Sequence, residues 1–172
     1  MLFARGTLIC FLVWWGQDMS ERFKPYLTVA LIIEHEGRFL MVEEFQETGE
    51  LCFGTIAGHV EAKESIIAAA LREGREECGC EVELDHLVGI YDYVKDYETI
   101  IRFTFAAHLK EHDPSLVRVA DPDQKIQAIK WYSRDEIYAQ RAMWRTRLIG
   151  YNFDDYFKGQ KLPLSCITEV RA

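Results

Sequence analysis

The sequence contains no C-x-x-C pair, and its five cysteines (Cys10, Cys52, Cys78, Cys80 and Cys166) are scattered and odd in number. Cys78-x-Cys80 has neither a second cysteine pair nor a histidine pair to complete a tetrahedral zinc site. Free thiols in a reducing, cytoplasmic compartment are therefore expected. Basic charge is also short: 20 Lys and Arg stand against 28 Asp and Glu, for a net charge of −8. No Lys/Arg stripe runs along the chain, which argues against a nucleic-acid-coating role, so no nucleic-acid partner is expected. Long apolar runs are missing too. Residues 7–15 form an apolar run after Arg5 that is too short to span a bilayer, and no small-residue cleavage signal follows it. No membrane partner is expected. Internal repeats, low-complexity tracts and linkers are absent, so nothing divides the chain.

What is present fits one folded unit. The chain has 172 residues, 49% of them hydrophobic and 28% charged, which is the balance of a globular protein with a real core. Composition changes abruptly at Met19-Ser20-Glu21-Arg22, where polar residues replace the apolar start. The expectation is that residues 1–18 are an N-terminal extension outside the domain, that Met19 is the natural start, and that residues 19–172 form the domain. A monomer or a homodimer is expected.

Hydrophobic periodicity outlines an α+β domain. Residues 26–34 read as a buried strand, and residues 38–44 as its hairpin return across Gly37. Residues 51–56 look extended, and residues 64–78 follow a helical pattern rich in alanine and free of proline. Gly74 inside that helix costs about 1 kcal/mol relative to Ala, so a close helix–sheet contact is expected there. Gly79 is a natural stop. Residues 82–93 and 99–109 read as strands around a polar turn, 110–125 as a loop, and 126–132 as a further strand. Ser133-Arg134-Asp135-Glu136 has the form of a capping box and opens a helix. A second helix is expected over residues 147–157, ending at Gly159.

The chemistry concentrates in residues 58–80. At about 100° per residue, Glu76 and Glu77 fall on either side of Glu73, placing three carboxylates within roughly a 100° arc of one helix. Such a cluster repels itself unless a cation sits among the oxygens, and hard oxygen ligands are what Mg²⁺ takes. Ile67, Ala70, Leu71, Gly74 and Cys78 occupy a neighbouring arc that can face a sheet. A solvated acidic face is the alternative.

The pattern is more specific than acidity. Gly58, Glu64, Arg72, Glu73, Glu76, Glu77 and Gly79 match all seven fixed positions of the motif that defines the Nudix hydrolases, and the chain resembles that family. A chance match at a given start is on the order of 10⁻⁸. Gly74 and Cys80 stand where the family prefers larger apolar residues; neither is a ligand position, so the departures bear on helix packing. The resemblance implies the Nudix fold, a mixed β-sheet sandwiched between helices (α/β/α), and a hydrolase that cleaves phosphoanhydride bonds with Mg²⁺, or Mn²⁺ in its place. It implies Glu73, Glu76 and Glu77 as metal-binding and catalytic carboxylates and Arg72 as the residue that holds a catalytic glutamate. Gly58 would let the backbone approach the substrate, and Glu64 would support the loop–helix–loop.

The likeness extends over residues 22–167. It includes Phe23-Lys24-Pro25, Gly37-Arg38-Phe39-Leu40, Val42-Glu43-Glu44, Ala57-Gly58-His59-Val60-Glu61, Arg102-Phe103, Trp131 with Ser133 and Glu136, and residues 159–164. These resemble a phosphatase branch that releases phosphate from nucleoside di- and triphosphates and from thiamine-type pyrimidine diphosphates. Phe53-Gly54-Thr55-Ile56 departs from that branch, which usually carries a Trp and a Pro there. Lys125 stands near where many relatives place an acid.

Further candidates come with competing readings. Arg102, alternating with Ile101 and Phe103, either grips a substrate phosphate with its planar fork or makes a surface ion pair. His59 is placed to hydrogen-bond near the phosphates; His35, His86, His108 and His112 are incidental. Tyr91, Tyr93, Phe103, Phe105 and Trp131 stack on a substrate ring or, more commonly for strand aromatics, fill the core. Asp121 and Asp123 are a metal ligand or base from their loop, or solvated loop acids. The expected substrate is a small phosphorylated molecule. A pyrophosphohydrolase of damaged nucleotides or nucleoside-diphosphate conjugates is the alternative enzyme, an RNA 5′-end hydrolase a third, and a non-catalytic ligand sensor the alternative outside catalysis.

Overall fold

The computed structural model describes residues 23–46 and 48–171. The expectation for residues 1–18 lies outside these. Strand β1 (Tyr26–His35) turns tightly into β2 (Arg38–Phe45) through Glu36 and Gly37, both at positive φ (50° and 75°). Two consecutive positive-φ residues make the turn whose twist matches a right-handed hairpin. Next come β3 (Leu51–Gly54), β4 (Ile56–His59), helix α1 (Ile66–Cys78), β5 (Val82–Val94) and β6 (Thr99–Leu109). After a loop come β7 (Ile126–Ser133), α2 (Arg134–Ala139) and α3 (Leu148–Phe157). The extended stretch expected over residues 51–56 is broken at Thr55 into two strands that pair with different partners.

β1 sits at the centre of a mixed seven-stranded sheet. It runs parallel to β6 over Tyr26–Ile33, and antiparallel to β4 at Thr28–Leu31. Only its last residues, Glu34 and His35, pair with β2, which in turn carries β3 and β7. The sheet therefore forks: one arm is β4-β1-β6-β5 and the other β3-β2-β7.

Each face of the sheet has its own core, because strand residues alternate in direction. Val29, Leu31, Ile33, Leu40, Val42 and Phe105 point to the α1 side and meet Ala69, Ala70 and Cys78. Ile32, Phe39, Met41, Val88 and Ala106 point to the other side and meet Ile137, Ile149 and Phe153 from α2 and α3. This is the expected sheet between helices. Phe39 lies edge-on to Phe153, Tyr156 and Phe157, with centroids 5.5, 5.6 and 5.2 Å away. No helix among the described residues is long and apolar enough to cross a membrane.

Candidate active site

Helix α1 is fixed at both ends. Ser65 caps its N-terminus by accepting from the Ala68 amide, and Gly79 ends it in the left-handed conformation that glycine adopts without strain. Gly74 is where the helix touches the sheet: a Cβ there would come within 2.7 Å of Val82 Cγ2 and 3.3 Å of Leu31 Cδ1. The close contact expected of this glycine is present. The helix is thus pressed onto β1 and β5 with Ala70, Gly74 and Cys78 inward, which turns the acidic edge towards β4.

On that edge Arg72 is the organising charge. Its Nε and Nη2 donate to Glu64 at 2.9 and 3.0 Å, Nη1 donates to both Glu73 and Glu76 at 2.8 Å, and Nη2 also reaches the His59 carbonyl at 2.9 Å. Its charge is therefore firmly held, chiefly by the bond to Glu64. That same bond keeps Glu64 below the usual carboxylate range, and Glu64 also accepts from the Glu61 amide. Glu73 is buried, and desolvation raises its pKa although Arg72 works the other way. Gly58 is required here, since a Cβ would fall 2.0 Å from Glu73 Oε1. The first demand on this glycine is thus the glutamate behind it, rather than the substrate in front.

Glu77 differs from its neighbours. It accepts one hydrogen bond, from the Ala57 amide at 3.1 Å, and no side chain among the described residues donates to it. Glu77 is half-buried at the cleft, and desolvation pushes its pKa up to about 8, partly offset by the charge of Arg145. Among the described residues no three acidic, imidazole or thiol groups converge on a point ready for a metal ion. The donor chemistry nevertheless fits a hard divalent cation: oxygen donors on one edge, and a carboxyl that lacks a counter-charge in direct contact. A bound cation would compete with Arg72 for the oxygens of Glu73 and Glu76.

These groups line a cleft of about 620 Å³ where the two arms of the sheet diverge. Glu73, Glu76, Glu77, Arg72, Gly58, His59 and Arg102 all border it, while Glu64 acts from behind through Arg72. Arg102 is buried, with Nε donating to Thr28 Oγ1 at 3.1 Å, and among the described residues it makes no ion pair. His59 is exposed at the rim, its ring edge-on to Tyr26 at 5.6 Å.

None of the proposed stacking aromatics borders the cleft. Phe105 is fully buried, Phe103 and Trp131 pack on the α1-side core, and Tyr91 donates to Asp155 on α3. Asp121 does border it but is a loop organiser. Its two oxygens accept from the amides of Asp123, Lys125 and Ile126, and these bonds outweigh burial to hold its pKa low.

Arg145 and Glu44 escaped the sequence reading of the site. Arg145 Nη1 donates to Glu44 at 2.7 Å, and a Cβ at Gly54 would lie 3.2 Å from its Cζ. Burial works against its charge, but Glu44 and Glu77 hold its pKa above the ordinary value. No local signal marks it: it is one of three arginines between residues 141 and 147, and only the fold turns it inward.

Comparison with known proteins agrees with this geometry. The NUDIX domain model matches residues 24–151. Phosphatase NudJ of Escherichia coli K12 is 34% identical over 146 residues, covering 84% of this chain and 92% of that protein. A NUDIX hydrolase from Nitrosomonas europaea superposes with a TM-score of 0.77 at 36% identity, covering 86% of this chain and 98% of that one. A MutT NUDIX hydrolase from Burkholderia pseudomallei gives 0.55 at 25% identity, over 70% and 95% of the two chains.

Proposed function

The chain belongs to the Nudix family, as a hydrolase homologous to a NudJ phosphatase, and from that premise we propose that it is a Mg²⁺-dependent phosphohydrolase of small di- and triphosphates. The reading favours release of phosphate from nucleoside di- and triphosphates and from thiamine-type pyrimidine diphosphates, in the cytoplasm. The observation that carries it is Glu77: a half-buried carboxyl on the same helix edge as Glu73 and Glu76, with Arg72 spent on its neighbours and no side chain among the described residues bonded to it.

In this reading Glu73, Glu76 and Glu77 hold the cation. When bound, Mg²⁺ neutralises phosphate oxygens, acts as a Lewis acid and lowers the pKa of a water. The protein supplies the rest. Arg72, anchored on Glu64, fixes the rotamers of Glu73 and Glu76 and limits their mutual repulsion. Gly58 lets β4 lie against Glu73, and His59 stands at the rim where the leaving portion of the substrate emerges. Arg102 donates to phosphate oxygens from the opposite wall. Catalysis of this class rests on such positioning and charge neutralisation more than on covalent chemistry.

The experiment is a hydrolysis panel with Mg²⁺ covering thiamine diphosphate, its hydroxymethylpyrimidine diphosphate precursor, common nucleotides and ADP-ribose. Orthophosphate and pyrophosphate are measured separately. Phosphate release from the diphosphates and nucleotides is expected. Pyrophosphate as the product from triphosphates, or turnover of ADP-ribose alone, would overturn the phosphatase reading in favour of a pyrophosphohydrolase.

A further inference from the structure

A second cavity, of about 610 Å³, is lined by residues of α2, α3 and the turn between them, and shares none of its lining with the catalytic cleft. Its aromatic wall is held in place. Trp144 Nε1 donates to the Ile137 carbonyl at 3.1 Å, and the indole stands edge-on to Tyr138 with centroids 5.8 Å apart. A Cβ at Gly150 would come within 2.7 Å of Trp144 Cζ3, so the half-buried ring lies directly against α3. Tyr151 lines the same cavity and is 61% exposed. Two cations complete the lining, Arg141, whose Cζ is 6.0 Å from the Trp144 ring centroid, and Arg147. In the catalytic cleft Arg72, Arg145, Lys125 and Lys95 each engage an acid. Among the described residues Arg141 and Arg147 engage none, although the chain carries a net charge of −8. The one acid of the lining, Asp154, accepts from the Tyr138 hydroxyl.

Three chemistries therefore meet in one cavity. Fixed ring faces stack on a planar ring, unpaired guanidinium forks bind phosphate oxygens, and a carboxylate accepts from amine or hydroxyl groups. A single acid gives no cluster of oxygens to hold a catalytic cation. We propose that this cavity is a second, non-catalytic ligand site that takes a nucleoside monophosphate, with the base on the aromatic wall and the phosphate on Arg141 and Arg147. The chain threads between the two cavities: Trp144 and Arg147 line this one, while Arg145 and Thr146 line the catalytic cleft. Occupancy thus bears on the segment whose Arg145 amide bonds the Phe53 carbonyl at 2.8 Å. The site needs no metal and does not rest on the phosphohydrolase reading.

The test uses the full chain freed of divalent ions, titrated calorimetrically with adenosine monophosphate and, separately, with inorganic phosphate at fixed ionic strength. Saturable binding of the nucleotide is expected, at least about tenfold tighter than phosphate, because base stacking adds to the charge contacts. Arg141→Gln combined with Arg147→Gln should weaken it on the order of 10–100-fold, the worth of charge-assisted hydrogen bonds to phosphate. Both arginines are exposed, so the melting temperature and the turnover without added nucleotide should stay at wild-type values. Arg102→Met, which alters the catalytic cleft, should leave this binding intact. No saturable binding by the wild type, or equal affinity for phosphate, overturns the proposal. So does a Kd that moves in Arg102→Met but not in the double variant, which would place the nucleotide in the catalytic cleft. A self-associated wild type that becomes monomeric in the double variant on sedimentation also overturns it, since the cavity would then be a contact between copies. If the double variant does not fold, each single substitution decides by its partial loss. An enzyme inactive on the hydrolysis panel that still binds here would overturn the functional reading alone, and an active enzyme that does not bind would overturn this site alone.

Discussion

At the residue scale, the site is a problem of unequal carboxylates. Glu73, Glu76 and Glu77 sit on one edge, yet Arg72 serves two of them and leaves the third to a single backbone amide. Glu77→Gln removes a charge where the metal-binding reading needs one and replaces it with a neutral group of the same shape. Most turnover should disappear while the circular dichroism spectrum and cooperative melting are kept; full activity in both Glu77→Gln and Glu76→Gln would sink the assigned metal site.

The raised pKa of Glu77 also sets a sign for pH. Desolvation lifts it from 4.5 to about 8, so between those values the folded chain binds more protons at this residue than the unfolded chain does. Its contribution to stability is intact below 4.5 and is lost as pH rises through about 8. The metal-free protein should therefore lose stability across that window relative to Glu77→Gln, whose side chain does not titrate. For the same reason Mg²⁺ binding at pH 7 should release protons, seen as a calorimetric enthalpy that depends on the ionisation heat of the buffer.

Removing Arg72 leaves Glu64, Glu73 and Glu76 with no counter-charge. Arg72→Ala should destabilise the metal-free protein by about 3 kcal/mol, in the range for breaking a largely buried pair. Added Mg²⁺ should restore part of the loss, and chemical denaturation with and without the ion measures both effects.

At the element scale, α1 joins the core to the chemistry. Helix propensity favours alanine over glycine by about 1 kcal/mol, so sequence logic alone would expect Gly74→Ala to stabilise. The structure reverses the sign. The new methyl would meet Val82 Cγ2 at 2.7 Å, and Val82 is a stiff β-branched residue in a strand. Overpacking of this kind costs about 1–3 kcal/mol. Gly74→Ala should therefore be destabilising in urea denaturation, and Val82→Ala introduced beside it should recover part of the loss through a double-mutant coupling. A stabilised single mutant would refute the close contact.

At the scale of the whole molecule, the cleft exists because β1 changes partners along its length. Tyr26–Ile33 belong to the arm with β4 and β6, and only Glu34 and His35 hand over to β2; Arg102, Glu77 and Arg145 all border the cleft between the arms. Arg145 is held there from both sides: its amide bonds the Phe53 carbonyl at 2.8 Å, and α3 begins just after it. Packing on the α3 side should therefore reach the site. Phe153→Ala, which empties a fully buried aromatic position against Phe39, should cost about 3–5 kcal/mol. It should also reduce kcat/KM although Phe153 does not border the cleft; unchanged activity below the melting transition would show that Arg145 is held locally.

Most of the elements and the reactive edge were legible in local sequence, whereas the break of residues 51–56 at Thr55 into two strands was not. Helical period places Glu73, Glu76 and Glu77 on one arc, alternation marks the buried strands, and Ser133 with Glu136 forms the reciprocal capping box its spacing implies. These are local rules, set by backbone geometry over a few residues. Tertiary structure decided which cations matter. Arg102 and Arg145 lie 43 positions apart in the chain, and Glu44 is farther still from Arg145; nothing local distinguishes them from surface charges. It also removed the aromatics from the cleft and turned Asp121 inward on its own loop. The physical reason is the same in each case: burial and long-range pairing set the worth of a charge, and both are properties of the folded sheet rather than of the neighbouring residues.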